Sequence, residues 1–480
     1  MTRKPGHRLD PHDWDAFAHD FHALADECLA HMRGARDRPW APPPAALAQR
    51  VALQDVEEPT PSADVFHEIA QGIMPHHSGA THPRFFGWVQ GTGLPQAVAA
   101  EMAAAAMNSN CGGRDHGATA VERAVIEWAG RVAGFSGDAF GILTTGTSQA
   151  TIVALACARV RRFGADVRRR GIAAFPAARV YIAEGGHSCV GKALEILGHG
   201  SDALVKVPVD ANGRMDTGAL ARLVEEDAAL GRVPLAIVGT AGSVNLGLFD
   251  PLAEIAEIAR RHDAWFHVDG AFGFWTRLAV EPFRSLADGI ERADSVAADF
   301  HKWMAVPYDC GICILADRAL QRETFSSRPE YLAPQDAGLG GGDLWFCDYG
   351  PELSRGFRAL KVWATVKACG TGALGLSVTD NCRQAALMAR LAEESDVLDL
   401  AHPVASNVCT MFPRHGDAAR IAARLQTEGH AVFSTTIVSG RSALRAAIVN
   451  HRTTDEDVRE SVAAAEGLVR EAAADTRLAG

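Results

Sequence analysis

No window of this 480-residue chain is apolar and uninterrupted over the ~20 residues that a membrane-spanning helix needs. Its opening stretch, MTRKPGHRLDPHDWD, lacks the apolar core of a signal peptide. Positive charge is in deficit: 47 Lys and Arg stand against 58 Asp and Glu, a formal net charge of −11. That balance argues against a nucleic-acid or anionic-membrane partner. The ten cysteines have no framework spacing, which suits a reducing compartment better than a disulfide scaffold. A cytoplasmic protein without membrane or nucleic-acid partner is therefore expected. Cys310 and Cys313 have redox or half-zinc spacing, but they lie in CGICILA, which reads as a buried strand with no second pair nearby. His76, His77 and His82 cluster in MPHHSGATH without a carboxylate or cysteine at ligand spacing, so no metal is expected. There is no internal repeat, and no low-complexity tract beyond the proline cluster RPWAPPPAA.

What is present is a globular composition, 48% hydrophobic and 22% charged, with length for two or three domains. Residues 11–34 and 62–73 read as helices. This opening segment, 1–84, has too few apolar residues to fold alone and is expected to pack on something else, a second subunit included. From 85 to 372, short apolar runs alternate with helical segments: FGILTT, ARVYIA, ALVKVPV, PLAIVGTA, AWFHVDG, SVAADF and CGICILA. Near-continuous apolar strands between helices predict a mostly parallel sheet covered on both faces, an α/β fold. TAVE predicts a capping box between Thr119 and Glu122 at the start of a long helix. The block 373–480, with SNVCTMFP and SALRAAIVN, reads as a smaller C-terminal α/β domain.

Ligands of open α/β sheets collect at the carboxyl ends of the strands, so the residues just after each strand are a functional test. After FGILTT comes GTSQAT, where Gly146, Thr147 and Ser148 open a helix and form an anion site suited to a phosphate, or an ordinary N-cap. After ARVYIA comes EGGHSCVGKA, placing His187 where an imidazole can stack on a flat ligand. After PLAIVGTA, the loop GSVNLG offers Ser243 and Asn245 as donors. AWFHVDGAFG ends an apolar strand on Asp269, a carboxylate that needs a cationic partner such as a protonated pyridine nitrogen. SVAADFHKWM ends on His301 and Lys302, 33 residues beyond Asp269. Lys302 by itself is either a solvated lysine or a Schiff-base nucleophile. Each element has a bland alternative, but their order on successive strands is the inventory for holding pyridoxal phosphate.

The sequence resembles the group II pyridoxal-phosphate-dependent amino acid decarboxylases, the family of aromatic-L-amino-acid and glutamate decarboxylases. The resemblance rests on HPRFFGW, TSQATIVALACAR, GHSCVGKA, FDPLAEI, WFHVDGAFG, FHKW, PYDCGI, SRGFRALKVW and LRAAIVN, which span nearly the whole chain. It implies fold type I of the pyridoxal-phosphate enzymes (aspartate-aminotransferase-like), in a homodimer with active sites at the interface and an N-terminal segment wrapping the partner. It also implies that Lys302 carries the cofactor, Asp269 pairs with its pyridine nitrogen, His187 stacks on the ring and Ala271 packs its other face. Thr147, Ser148 and His301 would hold the phosphate. Three departures stand out. Asp299 replaces a frequent asparagine near the phosphate, AGSVNLG replaces a hydroxyl-rich loop, leaving Asn245 to bond the cofactor's 3'-oxygen, and GWVQGTGLP is shorter than the substrate loop of the aromatic decarboxylases.

The small-molecule substrate is then an L-amino acid. Arg445 in SALRAAIVN resembles the family arginine that holds the substrate carboxylate; an ion pair within the small domain is the other reading. SSRPEYLAPQDAGLGGGD, about 18 residues rich in Gly and Pro, reads as a lid, and its Tyr331 matches the family's catalytic-loop tyrosine, the acid that protonates the carbanion. Phe85, Phe86 and Trp88 point to an aromatic side chain on the substrate, or simply pack the domain. The rival readings are an oxidative deaminase giving aldehyde, another fold-type-I enzyme such as an aminotransferase or carbon–sulfur lyase, and a catalytically dead binding protein.

Overall fold

The computed structural model describes residues 9–37, 40–53, 58–137, 139–327 and 335–479. Its larger sheet has seven strands: Phe140–Thr144 (β1), Ala178–Ala183 (β2), Leu204–Val207 (β3), Val233–Thr240 (β4), Trp265–Asp269 (β5), Ser295–Asp299 (β6) and Gly311–Leu315 (β7). Their order is β1-β7-β6-β5-β4-β2-β3. β7 runs antiparallel to both neighbours and the other pairs are parallel, so the sheet is mostly parallel, as the apolar runs predict. Every residue of β1, β5, β6 and β7 is buried, which is why these strands read as continuous rather than alternating hydrophobicity. Cys310 and Cys313 are both buried there.

A second, antiparallel sheet has four strands: Leu398–Leu400 (β8), Val408–Pro413 (β9), Ser434–Val438 (β10) and Arg441–Ala447 (β11), in the order β10-β11-β9-β8. It has its own apolar core with the helices Ala418–Thr427 and Asp455–Ala479. The helix Ala359–Glu394 is interrupted at Gly370, whose φ of 74° is left-handed. Among the described residues no helix is long and apolar enough to cross a membrane.

Two local expectations fail for tertiary reasons. The helix predicted to open at Thr119 runs Gly117–Ala133, with no side-chain cap. The Thr119 hydroxyl donates instead to the Arg114 carbonyl at 3.1 Å. Glu122 turns inward and forms a fully buried pair with Arg355, at 2.5 and 3.0 Å. Arg355 also donates to the Cys111 and Leu143 carbonyls, tying this helix, β1 and the Arg355 segment together. Phe85 and Phe86 do not face a ligand. Phe86 donates its N–H to the Val432 carbonyl and packs on Phe433 at 5.5 Å between centroids, inside the core of the smaller sheet.

Candidate active site

In the larger sheet, Thr240 lies opposite Asp269, and Asp269 opposite Ala297. Asp299 lies opposite Gly311, which lies opposite Thr144. The carboxyl ends of β4, β5, β6 and β1 thus open on one side. A cavity of about 830 Å³ sits there, lined from the large sheet by Thr147, Ser148, His187, Asp269, Ala271 and Lys302. The small-sheet region closes it with Ala422, Phe433, Ser434 and Arg445. Trp88, Asn245, Asp299, His301 and Tyr308 complete the wall. Tyr331 lies outside the described residues. Of the described residues singled out from the sequence for a place at the cofactor or substrate, all but Phe85, Phe86 and Ser243 come to this cavity.

Asp269 is buried, and burial lifts its carboxyl above the ordinary carboxylate range. His187, Lys302 and the Ala271 N–H (3.2 Å) oppose the shift, while Asp299 adds to it. A carboxylate so placed is stabilised by any cation that reaches it. The Cys189 N–H donates to His187 Nδ1 at 3.2 Å, which in the neutral ring leaves the proton on Nε2.

Beside this pair, Gly146 precedes the helix Thr147–Phe163 without a side-chain cap. The Thr147 hydroxyl is buried and has no hydrogen-bond partner among the described residues. Gly311 is required here: a Cβ on it would lie 2.5 Å from Gly146 Cα and 2.7 Å from Asp299 Oδ1. His301 accepts the Cys310 N–H on Nδ1 at 3.1 Å and stacks on Tyr308 at 4.3 Å between centroids. Burial lowers the His301 pKa although Asp299 pulls it up, and burial pushes the Tyr308 phenol to about 12. The strand that ends on a lysine now has its explanation. Lys302 points from the turn after β6 into the cavity, its ammonium held 2.8 Å from Asp299 Oδ2.

Arg445 is 3% exposed and has no carboxylate partner, so the ion-pair reading fails among the described residues. Nη1 donates to the Trp88 carbonyl at 2.9 Å and the Ser434 hydroxyl at 3.1 Å, and Nη2 to the Val244 carbonyl. Its Nε is buried and unpartnered among the described residues. That leaves Nε–H and a second Nη2–H without a partner among the described residues. Burial lowers the Arg445 pKa to about 10. Trp88 adopts φ 53°, uncommon for a bulky residue, and its carbonyl is held there by Arg445. Asn245 lines the exposed rim, whereas the Ser243 hydroxyl is taken up in its own loop by the Leu248 N–H.

Sequence reasoning missed Tyr308 and the Ser434–Phe433 wall. PYDCGI had marked Tyr308, but only the fold brings it over His301. The donor set suits pyridoxal phosphate: a glycine-led helix start with an orphan hydroxyl for the phosphate, a buried carboxylate for a pyridinium, an imidazole beside it, and a lysine.

Comparison with known proteins agrees. Residues 44–411 match the family model described as the pyridoxal-dependent decarboxylase conserved domain. The chain is 31% identical over 414 residues to an L-2,4-diaminobutyrate decarboxylase of Rhizobium meliloti (84% of this chain, 81% of the relative). It is 27% identical over 420 residues to an aromatic-L-amino-acid decarboxylase of Bacillus atrophaeus (85% of each). The crystal structure of Oryza sativa TDC with PLP and tryptamine superposes with a TM-score of 0.87 over 96% of this chain and 99% of that one, at 24% identity, a likeness of fold. The chain belongs to the pyridoxal-dependent decarboxylase family and is a carboxy-lyase that uses pyridoxal phosphate.

Proposed function

We propose that the enzyme decarboxylates an aromatic L-amino acid to its amine and carbon dioxide, with Lys302 as the lysine that carries the cofactor. When bound to the substrate's amino group, pyridoxal phosphate accepts the electron pair left as carbon dioxide departs. Asp269, raised by burial, keeps a proton on the pyridine nitrogen. His187 and Ala271 would cover the two ring faces, Asn245 would bond the 3'-oxygen, and Thr147, Ser148 and His301 would hold the phosphate. Arg445 takes the α-carboxylate on its free fork and fixes the direction of the bond that breaks. Tyr331 would donate a proton to the carbon that has lost carbon dioxide.

The observation that supports the aromatic reading is the charge distribution of the wall. Among the described lining residues, Asp269, Asp299, Lys302 and Arg445 are the charged ones, and each already has a role at the cofactor or the carboxylate. Beyond Arg445 the wall includes Trp88, Phe433, Ala422 and the uncharged polar Ser434, Thr435 and Gln426. A side-chain ammonium or sulfinate would enter without a counter-ion there, which is costly, whereas an aromatic ring packs against Trp88 and Phe433.

A homodimer in the cytoplasm completes the reading. The helix Trp14–Arg33 buries none of its residues, and its Trp14 is 63% exposed. Met102 and Met107 are exposed on the apolar helix Pro95–Met107. Apolar surface of this kind is covered in an assembly, with residues 1–84 as an arm on the partner, 85–372 as the cofactor domain and 373–480 as the small domain.

Carbon dioxide release measured over a panel of amino acids tests the assignment. Tryptophan, tyrosine or phenylalanine should be turned over best, and Lys302→Ala should turn over none of them. Preference for 2,4-diaminobutyrate, glutamate or cysteine sulfinate would refute the aromatic assignment.

A further inference from the structure

Asp299 is 2% exposed and stands where the cofactor's phosphate is to be held. Its Oδ1 accepts the Thr147 N–H at 2.7 Å, the first amide of the helix that opens the phosphate cup. Its Oδ2 lies 2.8 Å from Lys302 Nζ and 3.7 Å from His301 Nε2. The residue cannot easily swing away. Its own N–H donates to the Ala271 carbonyl, its carbonyl accepts the Trp275 indole N–H at 2.9 Å, and Gly311 packs against the carboxylate. The other titratable groups that feel it are Asp269 on β5, Cys189 on the helix Cys189–Ile196, and Tyr308. Thus one cation, Lys302, balances Asp299 and leaves no charge over for a second anion.

A phosphate dianion placed on the same helix terminus meets this fixed carboxylate. Two anions a hydrogen bond apart do not both stay fully ionised in a buried site, so the pair holds one proton between them. We infer that Asp299 makes capture of the phosphate proton-linked: for each phosphate bound, the Asp299–phosphate pair takes one proton from solvent and shares it between the two groups. An asparagine at this position offers an N–H donor with no proton to gain. The aspartate therefore makes cofactor affinity fall as pH rises. This inference rests on reading Gly146–Ser148 as the phosphate cup.

The test uses the full-length chain freed of cofactor and titrated with pyridoxamine 5'-phosphate, which has no aldehyde and leaves Lys302 free. Between about pH 6.5 and 8.5, the wild-type affinity should fall more steeply than that of Asp299→Asn, by up to about tenfold more per pH unit. Calorimetry in buffers of different ionisation heat should show close to one more proton taken up by the wild type. Unphosphorylated pyridoxamine should show neither difference. Parallel pH slopes, or weaker binding to Asp299→Asn at every pH, would overturn the inference. If the phosphorylated and unphosphorylated ligands bind equally well to the wild type, the phosphate cup itself is misplaced, a failure distinct from the first. His301→Gln separates the other candidate proton acceptor and serves if Asp299→Asn does not fold. Uptake that persists in His301→Gln supports Asp299, and uptake that disappears moves the proton to His301 and overturns the inference.

Discussion

Arg445→Gln is the most informative single change, because Arg445 has an observed duty and a proposed one that an assay can separate. Three of its N–H groups hold the Trp88 and Val244 carbonyls and the Ser434 hydroxyl, and its free edge is assigned to the substrate carboxylate. Burial lowers the guanidinium only to about 10, so it is cationic at pH 7–8 and the pair with a carboxylate is charged on both sides. Two charge-assisted hydrogen bonds contribute about 1.5–3 kcal/mol each. The carboxylate drains its charge as carbon dioxide forms, so the transition state keeps only part of that sum. About 3 kcal/mol is the expected loss, or about 10² in kcat/KM, carried more by KM than by kcat. The product amine has no carboxylate, and its inhibition constant should change by less than about threefold. Steady-state carbon dioxide release and amine inhibition, with thermal unfolding alongside, decide the matter. If amino acid and amine weaken by the same factor, Arg445 only supports Trp88 and the Val244 loop, and the assigned carboxylate contact is wrong.

Asp269→Asn should lower kcat by orders of magnitude, while the cofactor-free variant unfolds at the same temperature or higher at pH 7. Burial raises the Asp269 pKa, so its penalty is absent below the unfolded value near 4 and grows as pH rises through the folded value. An unchanged rate would remove its role at the pyridine nitrogen. Glu122→Gln should cost about 3–5 kcal/mol in urea unfolding, since it leaves the Arg355 guanidinium buried and uncompensated; a loss under about 1 kcal/mol would show that Arg355 finds other support. Tyr331→Phe should slow amine formation and raise the share of aldehyde and hydrogen peroxide under air, read by product analysis. Amine at the parental rate without peroxide would exclude Tyr331 as the acid.

The cofactor end of the site was legible in the sequence and the substrate end was not, for reasons visible in particular residues. Asp269 and Lys302 each close or directly follow a buried apolar strand, and a strand delivers its last residues to the sheet's carboxyl edge without help from distant parts of the chain. A carboxylate at the end of so apolar a strand is costly enough to demand a cation, and the lysine three residues beyond the next buried strand supplies the second half of the inference. Thr119 and Glu122 show the limit of local rules. Their spacing satisfies a capping box, yet Glu122 is claimed by Arg355, 233 positions away, because pairing a buried guanidinium outweighs a cap of about 1 kcal/mol. Phe85, Phe86 and Trp88 make the same point within four residues. Phe85 bridges to Val432 and Phe86 enters the small-sheet core, and only Trp88 reaches the cavity, held there by Arg445. The substrate wall is assembled from segments near 88, 244 and 422–445 that meet only in the folded chain. A family defined by its cofactor can therefore be read from strand ends, whereas specificity within it depends on tertiary contacts that no local pattern encodes.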